Sequence, residues 1–430
     1  MPRRLLIAIA GVFFMGAAPG ERVVKGTETM GLSAERLKRI DEVLQSHIAA
    51  GHITGAVVAV SRRGRLVHRA ALGVSDPATG APMGEDALFQ MYSSTKPLTA
   101  AAVLILVEEG KLRLEDPVSR YLPEFRRARV AMRKPGDTEG FVLRPPDAEP
   151  PPFDVVPAVR DLTIRDLMTH VSGLMTSDPQ RVGMTLPQRT PGESLASYAR
   201  KLGTVPLDHP PGSRWSYSPT AGCDVLAGIV EVVSGQRFET FLRDRILLPV
   251  GMTDTGFNPP AEQRARLLPV YRRAGNEWRR VAAAATGEGA MLAGTNPDSG
   301  SMGLVSTAHD YLLWEQTLLN KGVAPNGRRI LGSRSVELMG ANHVGGLYTG
   351  EGAYAKPIAG HGFGLLVHVV LDQPNAESGR SNGAFGWGGY LGTTSWNDPA
   401  EGIAAVILIQ QNVRDVQLDF ERAIRQAIID

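Results

Sequence analysis

The chain has 430 residues, 43% of them apolar and 21% charged, which is the composition of an ordinary globular protein. That length accommodates one compact enzyme with an inserted subdomain. A net charge of +2 gives no long-range field for nucleic acid or for an anionic membrane surface. The single cysteine, Cys223, excludes an intrachain disulfide and a thiolate metal cluster. Set in the apolar run Ala221-Gly222-Cys223-Asp224-Val225, it reads as a small buried residue and not as a nucleophile.

At the N-terminus, Arg3 and Arg4 precede an apolar run over 5–18 that is too short to span a bilayer. Residues 1–20 read as a signal peptide, which implies a periplasmic or secreted protein. A start at Met30 would instead leave a cytoplasmic one. No other segment is apolar enough for stable membrane insertion, and the sequence is silent on oligomeric state.

Leu37, Ile40, Val43, Leu44 and Ile48 recur at helical spacing, which predicts a helix over 32–50 with Ser33 as its N-cap. Strands are expected over 55–61 and 65–73, joined by an Arg62-Arg63-Gly64 turn. An apolar helix follows over 94–109. The stretch 126–158, rich in Pro, Gly and charge, reads as a surface excursion or a small hairpin able to cover a cleft. Helical patterns fill 164–250, and 258–300 is loop-rich. A further helix is expected over 306–320, then strands over 362–371, 384–387, 392–397 and 402–411, and a closing amphipathic helix over 415–429.

Strands at both ends and helices between them predict an α+β chain whose sheet is antiparallel and flanked by helices. The division expected is a discontinuous α/β domain, 31–90 with 298–430, and a mainly helical domain over 91–297 that carries the 126–158 excursion. A ligand cleft belongs at their junction.

Three motifs carry chemistry. In Met91-Tyr92-Ser93-Ser94-Thr95-Lys96-Pro97, Ser93 and Lys96 share a helix face, and Pro97 fits only near a helix start. The start of a helix favours a developing alkoxide, and a buried Lys beside it can take the hydroxyl proton. Only eight residues are Lys, and Lys96 alone has Ser three positions before it. In Pro211-Gly212-Ser213-Arg214-Trp215-Ser216-Tyr217-Ser218-Pro219, Tyr217 is either a packing aromatic or a proton relay to a leaving alkoxide. The third is Phe385-Gly386-Trp387-Gly388-Gly389-Tyr390, a Gly-rich strand that either kinks or lets a ligand approach its backbone.

Together, and in this order, the motifs resemble those of the serine β-lactamase and penicillin-binding-protein superfamily. They are most similar to its class C β-lactamase-like esterases, the family VIII carboxylesterases. The resemblance extends over nearly the whole chain from about residue 31, including Leu162-Thr163-Ile164-Arg165-Asp166-Leu167-Met168-Thr169-His170-Val171-Ser172-Gly173-Leu174, a scaffold signature given no catalytic role.

The resemblance implies Ser93 as acylated nucleophile, with Lys96 and Tyr217 sharing the acid and base roles. It further implies an oxyanion hole from the backbone N–H groups of Ser93 and Tyr390, substrate contacts from Tyr92, Trp387, Gly388 and Gly389, and no cofactor. Where β-lactamases have Lys-Thr-Gly, this chain has Trp387-Gly388-Gly389, and where they have Tyr-x-Asn, it has Tyr217-Ser218-Pro219. Both changes remove groups that would hold a charged amide substrate, so a neutral small-molecule ester of short to medium acyl length is expected.

The alternatives are a β-lactamase, a D-amino-acid peptidase or a transacylase on the same scaffold, and a noncatalytic ligand-binding module. Gly379-Arg380-Ser381-Asn382-Gly383 matches the G-x-S-x-G of α/β-hydrolases, but no helix pattern follows it and no His lies beyond His368. No metal site is expected: the His residues show no short-spaced cluster, and His361 and His368, read in one strand, would face opposite ways.

Overall fold

The computed structural model describes residues 24, 26–133, 153–176, 187–282, 298–349 and 359–430. The signal-peptide segment and the tip of the 126–158 excursion lie outside the described residues.

The centre is an eight-stranded antiparallel sheet built from both ends of the chain. Helix α1 (Ala34–Ala49), capped by the Ser33 side chain accepting from Arg36 N–H, leads into β1 (Gly55–Arg62) and β2 (Arg65–Asp76). Arg63 and Gly64 both have positive φ, the geometry that matches a two-residue turn to the twist of a hairpin. A short β3 (Ala81–Pro82) ends that edge. The C-terminal third supplies β4 (His361–Phe363), β5 (His368–Val370), β6 (Phe385–Gly388), β7 (Thr394–Asp398) and β8 (Ile403–Leu408). The order across the sheet is β4-β5-β6-β7-β8-β1-β2-β3, so the two ends of the chain meet where β8 pairs with β1.

Both central strands are buried along their whole length, and their side chains alternate between two cores. Ala56, Val58, Val60, Ile403, Ala405 and Ile407 face α1 and the C-terminal helix (Arg414–Ala427). Val57, Ala59, Ala404, Val406 and Leu408 face the larger core beneath the inserted helices. A one-residue slip of either strand would turn each set to the wrong core, which fixes the register.

The inserted part packs α2 (Lys96–Glu108) against α3 (Ala221–Ser234). α2 is buried on every side from Lys96 to Leu106, a core helix without a solvent stripe. The 126–158 excursion begins and ends as a hairpin, Arg129–Arg133 paired with Phe153–Pro157. A second small hairpin, Tyr271–Ala274 with Glu277–Arg280, lies inside the stretch read as loop.

The sheet corrects one reading. The segment expected as a single strand over 362–371 is a hairpin, β4 and β5, turning at Gly364-Leu365-Leu366-Val367. His361 and His368 therefore do not point apart: their rings lie 5.6 Å centroid to centroid. Among the described residues no group of three His, Cys, Asp or Glu side chains is placed to hold a metal ion. His368 Nε2 instead pairs at 3.1 Å with Arg380, which is ion-paired to the buried Glu421.

Helix α4 (Ala308–Leu319) presses on the sheet and places Glu315 under β7. There its carboxylate accepts from Ser395 Oγ at 2.6 Å and Asn397 Nδ2 at 3.0 Å. Burial pushes the Glu315 carboxyl up from its ordinary 4.5 to about 7. The folded chain therefore holds a proton that the unfolded chain releases, and this contribution to stability is lost as pH rises from 4.5 to 7. Glu315→Gln is expected to flatten that slope and to stabilise the protein above pH 7 by up to about 3 kcal/mol. Urea midpoints across that range check it, and an unchanged slope would remove Glu315 from the account.

Candidate active site

Ser93 lies in a single 3-10 turn, Tyr92–Thr95, that runs directly into α2. The expected helix thus begins with a tighter turn, in which side chains at i and i+3 eclipse. The result is a Lys96 Nζ to Ser93 Oγ distance of 3.1 Å. Pro97 occupies an early position of α2, where its missing N–H leaves no bond unmade. Tyr92 takes a positive φ of 45°, a strained conformation that turns the chain sharply before the serine.

The turn is fastened from two sides. Ser94 Oγ bonds Thr393 Oγ1 at 3.0 Å, and the Tyr311 hydroxyl donates to the Ser94 carbonyl. Ser93 itself stays part-exposed, whereas Lys96 is fully buried.

Lys96 Nζ makes two further bonds, to Pro219 O at 2.7 Å and to Ser301 O at 3.1 Å. Pro219 thus contributes through its carbonyl, although its side chain offers no amide. The Ser301 loop is shaped by Asp224 on α3, whose carboxylate accepts from Ser299 Oγ at 2.6 Å and from Gly300 N–H at 3.0 Å. Burial raises the Asp224 carboxyl above its usual range. The neighbouring Cys223 is fully enclosed, and burial pushes its thiol up to about 12, which leaves it inert.

Tyr217 arrives from the loop ahead of α3. Its hydroxyl donates to Ser93 Oγ at 2.9 Å, and Lys96 Nζ lies 5.1 Å from its ring centroid. Amine and phenol thus converge on one hydroxyl oxygen, an arrangement that can stabilise an alkoxide and exchange protons with it.

Trp387, Gly388 and Gly389, at and just past the end of β6, are part-exposed beside this point, and the Trp387 ring lies 5.7 Å from that of Tyr217. Trp215, Tyr348 and Phe363 extend the aromatic wall. Gly389 is where the strand meets the Ser93 turn: a Cβ there would stand 2.3 Å from both Met91 O and Thr393 Oγ1. Its N–H donates to Thr393 O at 2.7 Å, closing the turn that carries Tyr390. The Tyr390 side chain is exposed, with its ring 5.7 Å from that of Tyr92. The Tyr92 ring itself is buried with Val270 and Leu391.

Ser381 sits far from such a setting. It lies in the turn between β5 and β6, its N–H bonded to Asp398 at 2.8 Å, and a strand follows it instead of a helix.

One residue near the site was given no role in the sequence. His170 is fully buried, has a positive φ of 57°, and packs its ring, tilted, 4.7 Å from that of Tyr217. Nothing in its own segment singles it out, because the contact is made with residues more than forty positions away.

With this geometry in place, comparison with known proteins is informative. The Beta-lactamase family model matches residues 40–428. The chain belongs to the Beta-lactamase family. It is 34% identical over 384 residues to Protein Rv1367c of Mycobacterium tuberculosis, covering 87% of this chain and 90% of that one. It is 30% identical over 420 residues to Esterase EstB of Burkholderia gladioli, covering 92% and 96%. Among solved structures, EstCE1, described as a hydrolase with promiscuous acyltransferase activity, superposes with a TM-score of 0.71 at 27% identity, covering 91% of this chain and 98% of that one.

Gly389→Ala is expected to push the strand off the nucleophile turn. Labelling of Ser93 by a fluorophosphonate should slow by at least about tenfold. The protein should still fold, with a melting temperature lowered by only several degrees. Unchanged labelling would show that this close approach does not set the reactivity of the serine.

Proposed function

We propose that this member of the family is a carboxylesterase that hydrolyses neutral esters of short to medium acyl length through an acyl-enzyme on Ser93. The observation that carries the reading is the convergence of Lys96 Nζ and Tyr217 OH on Ser93 Oγ. Similarity to Esterase EstB and to the hydrolase EstCE1 supports ester cleavage.

Ser93 Oγ attacks the ester carbonyl carbon as its proton passes into the Lys96–Tyr217 pair. The tetrahedral oxyanion is received by the backbone N–H groups of Ser93 and Tyr390. The pair returns the proton to the departing alkoxide, with Tyr217 as donor, and the acyl group remains on Ser93. Water then attacks the acyl carbon and loses a proton to the same pair; the bond to Ser93 Oγ breaks, the pair returns that proton to the serine oxygen, and the carboxylic acid leaves. The part-exposed backbone of Gly388 and Gly389 and the ring of Trp387 border the ester, with Tyr92 setting the turn beneath it. Trp387 offers an apolar face where a charged amide substrate needs a cation, which favours a neutral acyl group.

A fluorophosphonate should attach covalently at Ser93, and Ser93→Ala should abolish both labelling and hydrolysis of p-nitrophenyl butyrate. Lys96→Ala should fall by at least about 10³-fold and Tyr217→Phe by about 10²-fold on alkyl esters. Ser381→Ala should retain activity. A protein that stays unlabelled is a binding module, and one that opens nitrocefin faster than it cleaves p-nitrophenyl butyrate is a β-lactamase.

A further inference from the structure

We infer that His170 is a positioning residue that seats Tyr217 for proton delivery to the leaving group; the inference rests on the proposed acyl-enzyme chemistry. The main chain on either side of Tyr217 is held by this one residue. Ser216 N–H donates to the His170 carbonyl at 2.9 Å, and Ser218 N–H donates to His170 Nδ1 at 3.2 Å. The imidazole ring also packs on the phenol ring between those two anchors, at 4.7 Å and a 59° tilt. Backbone acceptor, side-chain acceptor and ring face thus act on three consecutive residues, the middle one being Tyr217.

The surroundings keep the acceptor available. Burial, reinforced by the positive charge of Lys96, holds the imidazole well below its ordinary range and therefore neutral. With Nδ1 accepting, the ring proton sits on Nε2, which has no hydrogen-bond partner among the described residues and lies within an aromatic surround of Trp215 and Phe363. Ser218 is itself buried, so its N–H has no water to turn to if Nδ1 is removed. The adjoining chain is held to the same element: Ser218 Oγ donates to Leu174 O at 2.7 Å, and Gly212 N–H donates to Val171 O at 2.8 Å. The 170–174 segment is therefore a rail along which the Tyr217 loop is zipped, and His170 is the point of contact nearest the phenol. Its positive φ aims carbonyl and ring toward the same loop.

The test uses two substitutions that both tolerate a positive φ but differ in their acceptor. His170→Asn keeps an oxygen near the place of Nδ1, whereas His170→Gly removes the acceptor and the ring. Steady-state kinetics are compared on a p-nitrophenyl ester, whose leaving group departs without a proton, and on the matching ethyl ester, which needs one. His170→Gly should lower kcat on the ethyl ester by about 10- to 100-fold, with a much smaller loss on the p-nitrophenyl ester and KM little changed. His170→Asn should recover most of the difference. In a Tyr217→Phe background, His170→Gly should cost little more on either substrate.

Equal losses on both esters, or full additivity with Tyr217→Phe, would overturn the positioning role. If Tyr217→Phe itself shows no dependence on the leaving group, the proton-donor reading of Tyr217 fails instead, and the two failures are told apart.

Discussion

An amine with no access to water must find acceptors inside the protein, and the site is organised by how Lys96 finds them. Its three hydrogen bonds reach Ser93 Oγ, Pro219 O and Ser301 O, which belong to three separate stretches of chain. Leaving such a group unsatisfied costs several kcal/mol, so the three stretches are drawn together by the same requirement that prepares the serine. The loop after Tyr217 and the loop at 299–301 are as much parts of the lysine site as α2 is. This is why the candidate site and a packed core coincide here: the first residue of the deeply buried α2 is also its most polar.

Two close approaches make that convergence possible, and each falls on a glycine. A Cβ on Gly300 would stand 2.1 Å from Cys223 O, so only glycine lets the 299–301 loop reach α3, where Asp224 then accepts from Gly300 N–H and from the Ser299 and Ser301 hydroxyls. A Cβ on Gly389 would collide with Met91 O, so only glycine lets the end of β6 touch the Ser93 turn. The first glycine brings an acceptor to the lysine, and the second brings backbone to the serine.

How much of this could be read from the sequence follows the range of each interaction. Ser93 and Lys96 are three residues apart, and their meeting is a property of one turn, so the motif alone exposed it. The runs that form β1 and β8, the Ser33 cap and the helix near 306–320 are equally local, and those elements appear within a few residues of the expected bounds. The β4–β5 hairpin was read as one strand because its turn, Gly364-Leu365-Leu366-Val367, is apolar from Leu365 on and wholly buried, without the polar residues that mark exposed turns. The Tyr271–Arg280 hairpin did carry a turn signal, Gly275-Asn276, which its charged strands obscured. His170 gave none: its partners are at 216–218, and only the folded chain brings them within bonding distance.

The electrostatic setting of the site acts on the buried imidazole of His170. Lys96 and His170 are both buried near Tyr217, and two positive charges there would repel each other at short range in a medium that screens poorly. Burial and the lysine together settle the imidazole as neutral, which frees Nδ1 to accept from Ser218. Trp387 extends the same logic to the outer wall, since an indole beside Tyr217 adds area without adding charge. The aromatic wall and the neutral histidine thus surround the Tyr217 phenol with uncharged rings, with the Lys96 amine on its other contact.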